Sequence, residues 1–174
     1  TKWYRSASLP ARSGLALRIA GGATVEWLPQ ESIVFDGARA HVDCRIELQA
    51  GARYIGMDLY CLGRTASGER FTRGELQLDT RIRLDGRTLW LEQARLDGDS
   101  ALLQSAAGLA GAPVFGTFAC AGFDADDALL RACRALPCTA GATGITRLPG
   151  LLLARYRGDC TQSARAWFVH LWSL

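Results

Sequence analysis

The side chains able to do chemistry in this chain are few. There are two histidines, His41 and His170, and six cysteines, Cys44, Cys61, Cys120, Cys133, Cys138 and Cys160. Nucleophilic hydrolysis needs a base beside the nucleophile. No Gly-x-Ser-x-Gly elbow occurs, and His170 sits in a helical stretch beside its apolar side. The pattern argues against a Ser/Cys–His hydrolase. Structural zinc sites nearly always begin from a Cys-x-x-Cys or Cys-x-x-His pair, and this chain has neither. Its thiols are read as reduced, mostly buried small hydrophobes of a cytosolic protein. A stand-alone thiol metal-binding β-protein is the alternative reading.

The paired acids Asp97/Asp99 and Asp126/Asp127 fall in a turn and in a helix first turn, where turn geometry and the helix dipole account for them. The run Gly63–Gly74 is glycine-rich and holds three arginines, but it leads into a strand, not into the helix that a phosphate-binding loop requires. Composition sets the outer bounds. In 174 residues, 49% are hydrophobic and 21% charged, with a net charge of +3. That excludes disorder, collagen and coiled coil, and it does not point to nucleic acid. No apolar run reaches bilayer-spanning length, so no membrane role is expected.

The elements that must position these groups change character along the chain. From Leu15 to about Leu103 the sequence is made of alternating apolar runs broken by glycine. His41–Leu48, Arg53–Leu62 and Glu75–Leu84 read as strands, and Asp85-Gly86 as a tight hairpin turn into Thr88–Glu92. One internal echo is visible: Ile19–Val25 resembles Leu48–Tyr54, a recurrence of about thirty residues, in the range of repeat architectures. The last third turns helical. Asp124–Asp127 caps a helix that ends before Pro137, Gly141–Arg147 reads as loop and Leu151–Tyr156 as strand. Gly158-Asp159 caps a final helix with the stripe Ala164, Trp167, Phe168, Leu171 and Trp172. The expected fold is mainly β: stacked, solenoid-like (β-helix-like) sheets with two α-helices in the C-terminal third, an ordinary sandwich being the alternative.

Three runs, in order, carry a family resemblance. The first is Glu26-Trp27-Leu28-Pro29-Gln30-Glu31. The second is Phe35-Asp36-Gly37-Ala38-Arg39. The third is the stretch from Cys61 to Gly74, with Gly63, Arg64, Ser67, Gly68 and Glu69. Together with Thr1–Ser6, Leu96-Asp97-Gly98 and Gly111–Thr117, they resemble the urease accessory protein UreD (UreH) family over essentially the whole chain. The resemblance implies a single UreD-like domain over residues 1–174, lacking the N-terminal part of the family and the extreme C-terminus. It accounts for an opening without Met and a close inside a helix, and a segment cut this way is expected to leave a long sheet edge open.

The resemblance further implies a non-enzymatic, cytoplasmic factor of urease maturation. Such a factor binds apo-urease and a UreF-type adaptor, and through the adaptor a UreG-type GTPase. It holds no tightly bound cofactor, only nickel in transit along a water-filled passage. A conduit must release its ion, so scattered carboxylates suit it better than a closed cage. Glu26, Glu31, Asp36, Asp58 and Glu69 lie in or beside the motifs and are the candidate passage residues. The plainer reading pairs Glu31 and Glu69 with Arg39 and with Arg64 or Arg70, and leaves Asp36 to build its turn. The final helix, by the same resemblance, adds to adaptor contact.

Overall fold

A computed structural model describes residues 1–174. Two β-sheets pack face to face, and two helices cover the outer side of the larger one. The smaller sheet has four strands in the order β2 (Ala11–Ile19), β5 (Arg39–Leu48), β7 (Glu75–Leu84) and β8 (Arg87–Asp97). The larger has seven. Its path runs β1 (Lys2–Trp3), β4 (Ser32–Val34), β6 (Arg53–Leu62), β9 (Val114–Ala121), β11 (Leu151–Gly158) and β10 (Ala142–Leu148), with β3 (Thr24–Trp27) also paired to β6. The helices are α1 (Asp127–Ala135) and α2 (Thr161–Trp172). Neither is long and apolar enough to cross a membrane.

From β2 to β7 the chain passes back and forth between the sheets. Strands that meet again in the same sheet pair in parallel: β2 with β5, β5 with β7, and β3 and β4 with β6. The echo noticed in the sequence is the register of this winding, since Ile19 lies against Leu48 and Val25 against Tyr54. After the Asp85-Gly86 hairpin, both at positive φ as a tight turn requires, every new pairing is antiparallel.

Burial follows from this layering. β5 shows one face to the other sheet, and its Ala40, Cys44, Ile46 and Leu48 are buried there. β6, β9 and β11 are covered on both faces, so they read as nearly continuous apolar runs. Two apolar clusters lie between the sheets, one around Ile46, Tyr54, Ile82 and Leu153, the other around Val34, Tyr60, Leu62 and Leu76. A third joins the outer face of the larger sheet to the helices through Phe118, Ala154, Trp167 and Phe168. Gly116 permits that close approach, because a Cβ there would lie 2.6 Å from the Asp58 carbonyl and 3.0 Å from the Phe168 ring.

The structure corrects the sequence reading at three places. Residues 141–147 are not a loop: Ala142–Leu148 is the edge strand β10, joined to β11 by a Pro149-Gly150 turn with Gly150 at positive φ. The segment is almost wholly exposed, so it carries no apolar alternation to announce a strand. Backbone pairing to β11 holds it, helped by Arg147, which donates to the Ala125 carbonyl and to Asp127 at the start of α1. Trp172 leaves the buried stripe and is 44% exposed, whereas Ala164, Trp167, Phe168 and Leu171 are buried as expected. Cys160, not Asp159, takes the N-cap position of α2.

The first helix follows its signals. Asp126 is the N-cap and accepts from the Leu129 amide at 2.7 Å, with Asp127 in the first turn. Asp126→Ala should cost about 1 kcal/mol. A shift of the urea midpoint at constant m-value would register it, and an unshifted midpoint would show that α1 does not depend on this cap.

Candidate functional site

The three doubly covered strands of the larger sheet each bring one polar residue to a cavity on the side facing the other sheet. On β6 it is Asp58, on β9 Thr117, on β11 Arg155. Register places them in one row: Asp58 lies beside Thr117, and Thr117 beside Arg155. The facing sheet supplies a second row, Cys44, Thr80 and Glu92, also paired side by side across β5, β7 and β8. All six line one cavity of about 290 Å³ between the sheets. A polar layer thus divides the two apolar clusters of the inter-sheet core.

Within this layer Asp58 is the unmet charge. No side chain or amide hydrogen-bonds its carboxylate, and burial alone pushes its pKa up to about 6. What surface it keeps opens into the cavity. Burial, with a smaller contribution from Asp58 and Asp43, pushes the Cys44 thiol up to about 12, so it is neutral at physiological pH. At the mouth, Arg155 donates to Glu92 at 2.8 Å across the gap, and its guanidinium lies 5.4 Å from the centre of the Trp90 ring. The layer therefore offers one unpaired acid, one acid already paired, and two hydroxyls. These are hard oxygen donors spread out rather than closed into a cage, and no three His, Cys, Asp or Glu side chains in the chain converge as a metal cluster.

The other motif carboxylates lie elsewhere. Asp36 accepts from the Thr72 amide at 2.7 Å and hydroxyl at 3.0 Å, and from the Arg73 amide at 2.9 Å and guanidinium at 3.2 Å. Burial pushes its pKa up, but these donors outweigh it and hold the carboxylate at about 2. Glu69 accepts from the Asp36 amide at 2.7 Å and pairs with Arg64 at 2.6 Å. The Asp36 amide first, then Arg64, lowers its pKa. Arg64 also lies over the Phe35 ring. Gly63 sits at a φ of 84°, where a Cβ would collide with the Glu69 carbonyl. Ser67 and Gly68 close the single 3-10 turn of this loop, Gly68 in the left-handed region. Arg39 donates to the Ser8 carbonyl, and Gly37 donates its amide to Arg73. The second and third motif runs are one knot at one end of the sheets.

The first run meets α2 instead. Arg165 donates to the Pro29 carbonyl at 2.6 Å and approaches the Glu31 carboxylate at 3.9 Å. Glu26, Trp27 and Gln30 are exposed on this side. The structure thus brings Asp36 and Glu69 together, sets Glu26 and Glu31 apart from them, and puts Asp58 alone of the five in the inter-sheet cavity.

Sequence reasoning missed Thr80, Glu92, Thr117 and Arg155. A signal was available: Glu92 shares its strand parity with the inward Ala94 and buried Leu96, and Arg155 shares its parity with the buried Leu151 and Leu153. A charge on the core parity of a strand marks such a site. The histidines lie outside it. His41 donates through Nε2 to Asp79 at 2.8 Å on the outer face of the smaller sheet, and His170 is exposed. All six cysteines are free thiols, four of them buried.

Comparison with known proteins places this arrangement. A family model described as UreD urease accessory protein matches residues 1–174. The chain is 51% identical over 175 residues to the urease accessory protein UreD of Azoarcus sp. (strain BH72), covering 99% of this chain and 61% of that protein. It is 46% identical to the UreD of Dechloromonas aromatica (strain RCB), covering 62% of that protein, and 51% identical to the UreD of Pseudomonas aeruginosa, covering 61%. The chain thus spans about three-fifths of the length of these curated relatives. With a match running from its first residue to its last, the chain belongs to the UreD urease accessory protein family.

Proposed function

We propose that this chain works in urease maturation as a non-catalytic, cytoplasmic scaffold. In this reading it binds apo-urease and a UreF-type adaptor, reaches a UreG-type GTPase through the adaptor, and passes nickel toward the urease active site. The observation that carries the reading is the family match over the whole chain. The parallel pairing of β2–β5–β7 and of β3 and β4 with β6, at register steps of 28 to 36 residues, supports a β-helix-like winding whose polar layer serves as part of a passage.

Nickel is the cargo, and the layer suits a cargo. Asp58 attracts a cation because nothing else satisfies it, and the hydroxyls of Thr80 and Thr117 add neutral oxygens. A site of so few ligands binds weakly enough to let go. Asp36 and Glu69 take another part in this reading. They stiffen the motif knot and the shape it presents to partners.

Affinity purification of the tagged protein from cells co-expressing urease and its accessory proteins tests the scaffold role. Apo-urease and the adaptor are expected to co-elute in near-stoichiometric amounts, with the GTPase present only when the adaptor is. Elution free of urease and of the adaptor at moderate salt would remove the reading.

A further inference from the structure

Arg155 stands where the polar layer meets the outside. It lines the inter-sheet cavity and also a second, more open groove of about 450 Å³ bordered by Ala142, Thr143 and Gly144 of β10. The two spaces share Ala107, Gly108, Leu109, Phe115 and Gly116 as well. A guanidinium at their junction faces a dication with a repulsive charge. It is held there by Glu92 of the opposite sheet and the Trp90 face. Two residues further along the same strand, Arg157 donates to the carbonyls of Ala106 and Gly108 at 2.9 Å and 2.7 Å. That fixes the loop roofing the cavity, so the roof is pinned and Arg155 is the movable piece. Its side chain is 47% exposed and borders the open groove.

We propose that Arg155 is the gate of the cavity: held by Glu92, its guanidinium closes the junction to cations, and when it swings into the outer groove the junction opens and Glu92 is left to face the ion. The proposal rests on the passage reading above. No bond is made or broken beyond this exchange of ion partners. The gate accounts for a charged residue of core parity being spent on an ion pair that surface exposure makes weak. A weak pair is one that a cation can compete for.

The test compares nickel exchange in the purified protein co-expressed with its urease and accessory partners. It is loaded with nickel alone and then challenged with a coloured chelator. Arg155→Gln keeps a donor for Glu92 and removes the charge, so exchange should quicken about tenfold. Glu92→Gln releases Arg155 to the outer groove but also removes the carboxylate that would face the ion, so exchange should quicken by only about threefold. Arg155→Lys should stay within about twofold of the parent. A pair that only supports the fold would quicken exchange in step with the fall in melting temperature, in Arg155→Lys as much as in the glutamine variants, and that result would overturn the gate. Equal exchange in Arg155→Gln and the parent, with Asp58→Asn still losing nickel, would overturn the gate and leave the passage standing. Nickel held equally by Asp58→Asn and the parent would overturn both. Melting curves of each variant accompany the exchange rates, and Arg155→Met, which removes the charge but keeps an apolar stem beside Trp90, carries the comparison with the same expected quickening if Arg155→Gln proves unfolded.

Discussion

The Asp58→Asn variant is expected to melt at a higher temperature than the parent at pH 7.5 and yet, under the proposed passage reading, to leave urease short of nickel. Both effects come from one unpaired charge. Burial raises the Asp58 pKa from 3.8 to about 6, so the folded state holds this proton more tightly than the unfolded chain does. Above pH 6 the folded protein carries the ionised acid at a cost of about 3 kcal/mol. Below the ordinary carboxylate value the acid is protonated in both states and the cost vanishes. Asparagine removes the charge but leaves amide hydrogens with few acceptors, which returns part of the gain. The net gain at pH 7.5 should be about 1–2 kcal/mol, or about 3–6 °C for a chain of this size.

That gain should fade as the pH is lowered from about 6 toward 4. A melting difference that stays constant from pH 4 to pH 8 would mean that Asp58 is not a buried, unpaired acid. The functional half of the expectation is read separately, as nickel per urease active site after maturation with the variant. A drop of about tenfold corresponds to losing about 1.4 kcal/mol of preference for the cation. Normal nickel content, with the stability gain present, would leave Asp58 a strained core residue and take the polar layer out of the transfer route. Stability and function pulling in opposite directions is what a functional charge in a core predicts.

The second large effect is expected at the motif knot. Asp36→Ala removes the acceptor of two backbone amides, a hydroxyl and a guanidinium at one stroke, and it leaves the Thr72 and Arg73 amides without their partner. The loss should be about 3 kcal/mol in chemical denaturation at neutral pH. Its pH dependence has the opposite sign to that of Asp58. The folded pKa of Asp36 is held at about 2, below its ordinary 3.8, so the stabilisation is complete above about pH 4 and is lost as pH falls from there toward 2. Solvent screening near the surface trims the ionic share, so Asp36→Asn should cost less than alanine, about 1–2 kcal/mol. A cost below 0.5 kcal/mol for the alanine variant, on the order of an ordinary surface substitution, would show that the loop from Gly63 to Gly74 docks without this clasp.

The two carboxylates separate what strand patterning makes readable from what it does not. Alternation in β5 and β7, the long strand run of β6, the Asp85-Gly86 turn and the Asp126 cap were all legible, because each is set by residues adjacent in the chain. So was the thirty-residue echo, which became the register of Ile19 on Leu48. β10 was not legible, because an exposed edge strand is held by backbone bonds to its neighbour and needs no apolar pattern. Trp172 carried the right helical spacing, but only the neighbouring surface decides how far an apolar stripe stays covered.

The candidate site divides the same way. The motif runs were visible as residue strings, and Asp58 was visible as a carboxylate beside them. Local sequence marked Asp36 as a turn residue and Asp58 as a strand residue, but it did not show that one is left bare in a cavity and the other is held by Thr72 and Arg73.

By itself, the amino-acid order determined the main strand periods, the Asp85-Gly86 turn, the cap of the first helix and the likeness to UreD proteins. Those depend on backbone preference and side-chain parity over a few residues, or on matching strings. The polar layer was decided only by tertiary structure. Cys44, Thr80 and Glu92 come from three strands, Asp58, Thr117 and Arg155 from three others, and only the pairing register and the packing of sheet on sheet bring the six to one cavity. A charge acquires a raised pKa, a partner or a task from what surrounds it in space. For Asp58 and Arg155 those surroundings come from strands distant in the chain.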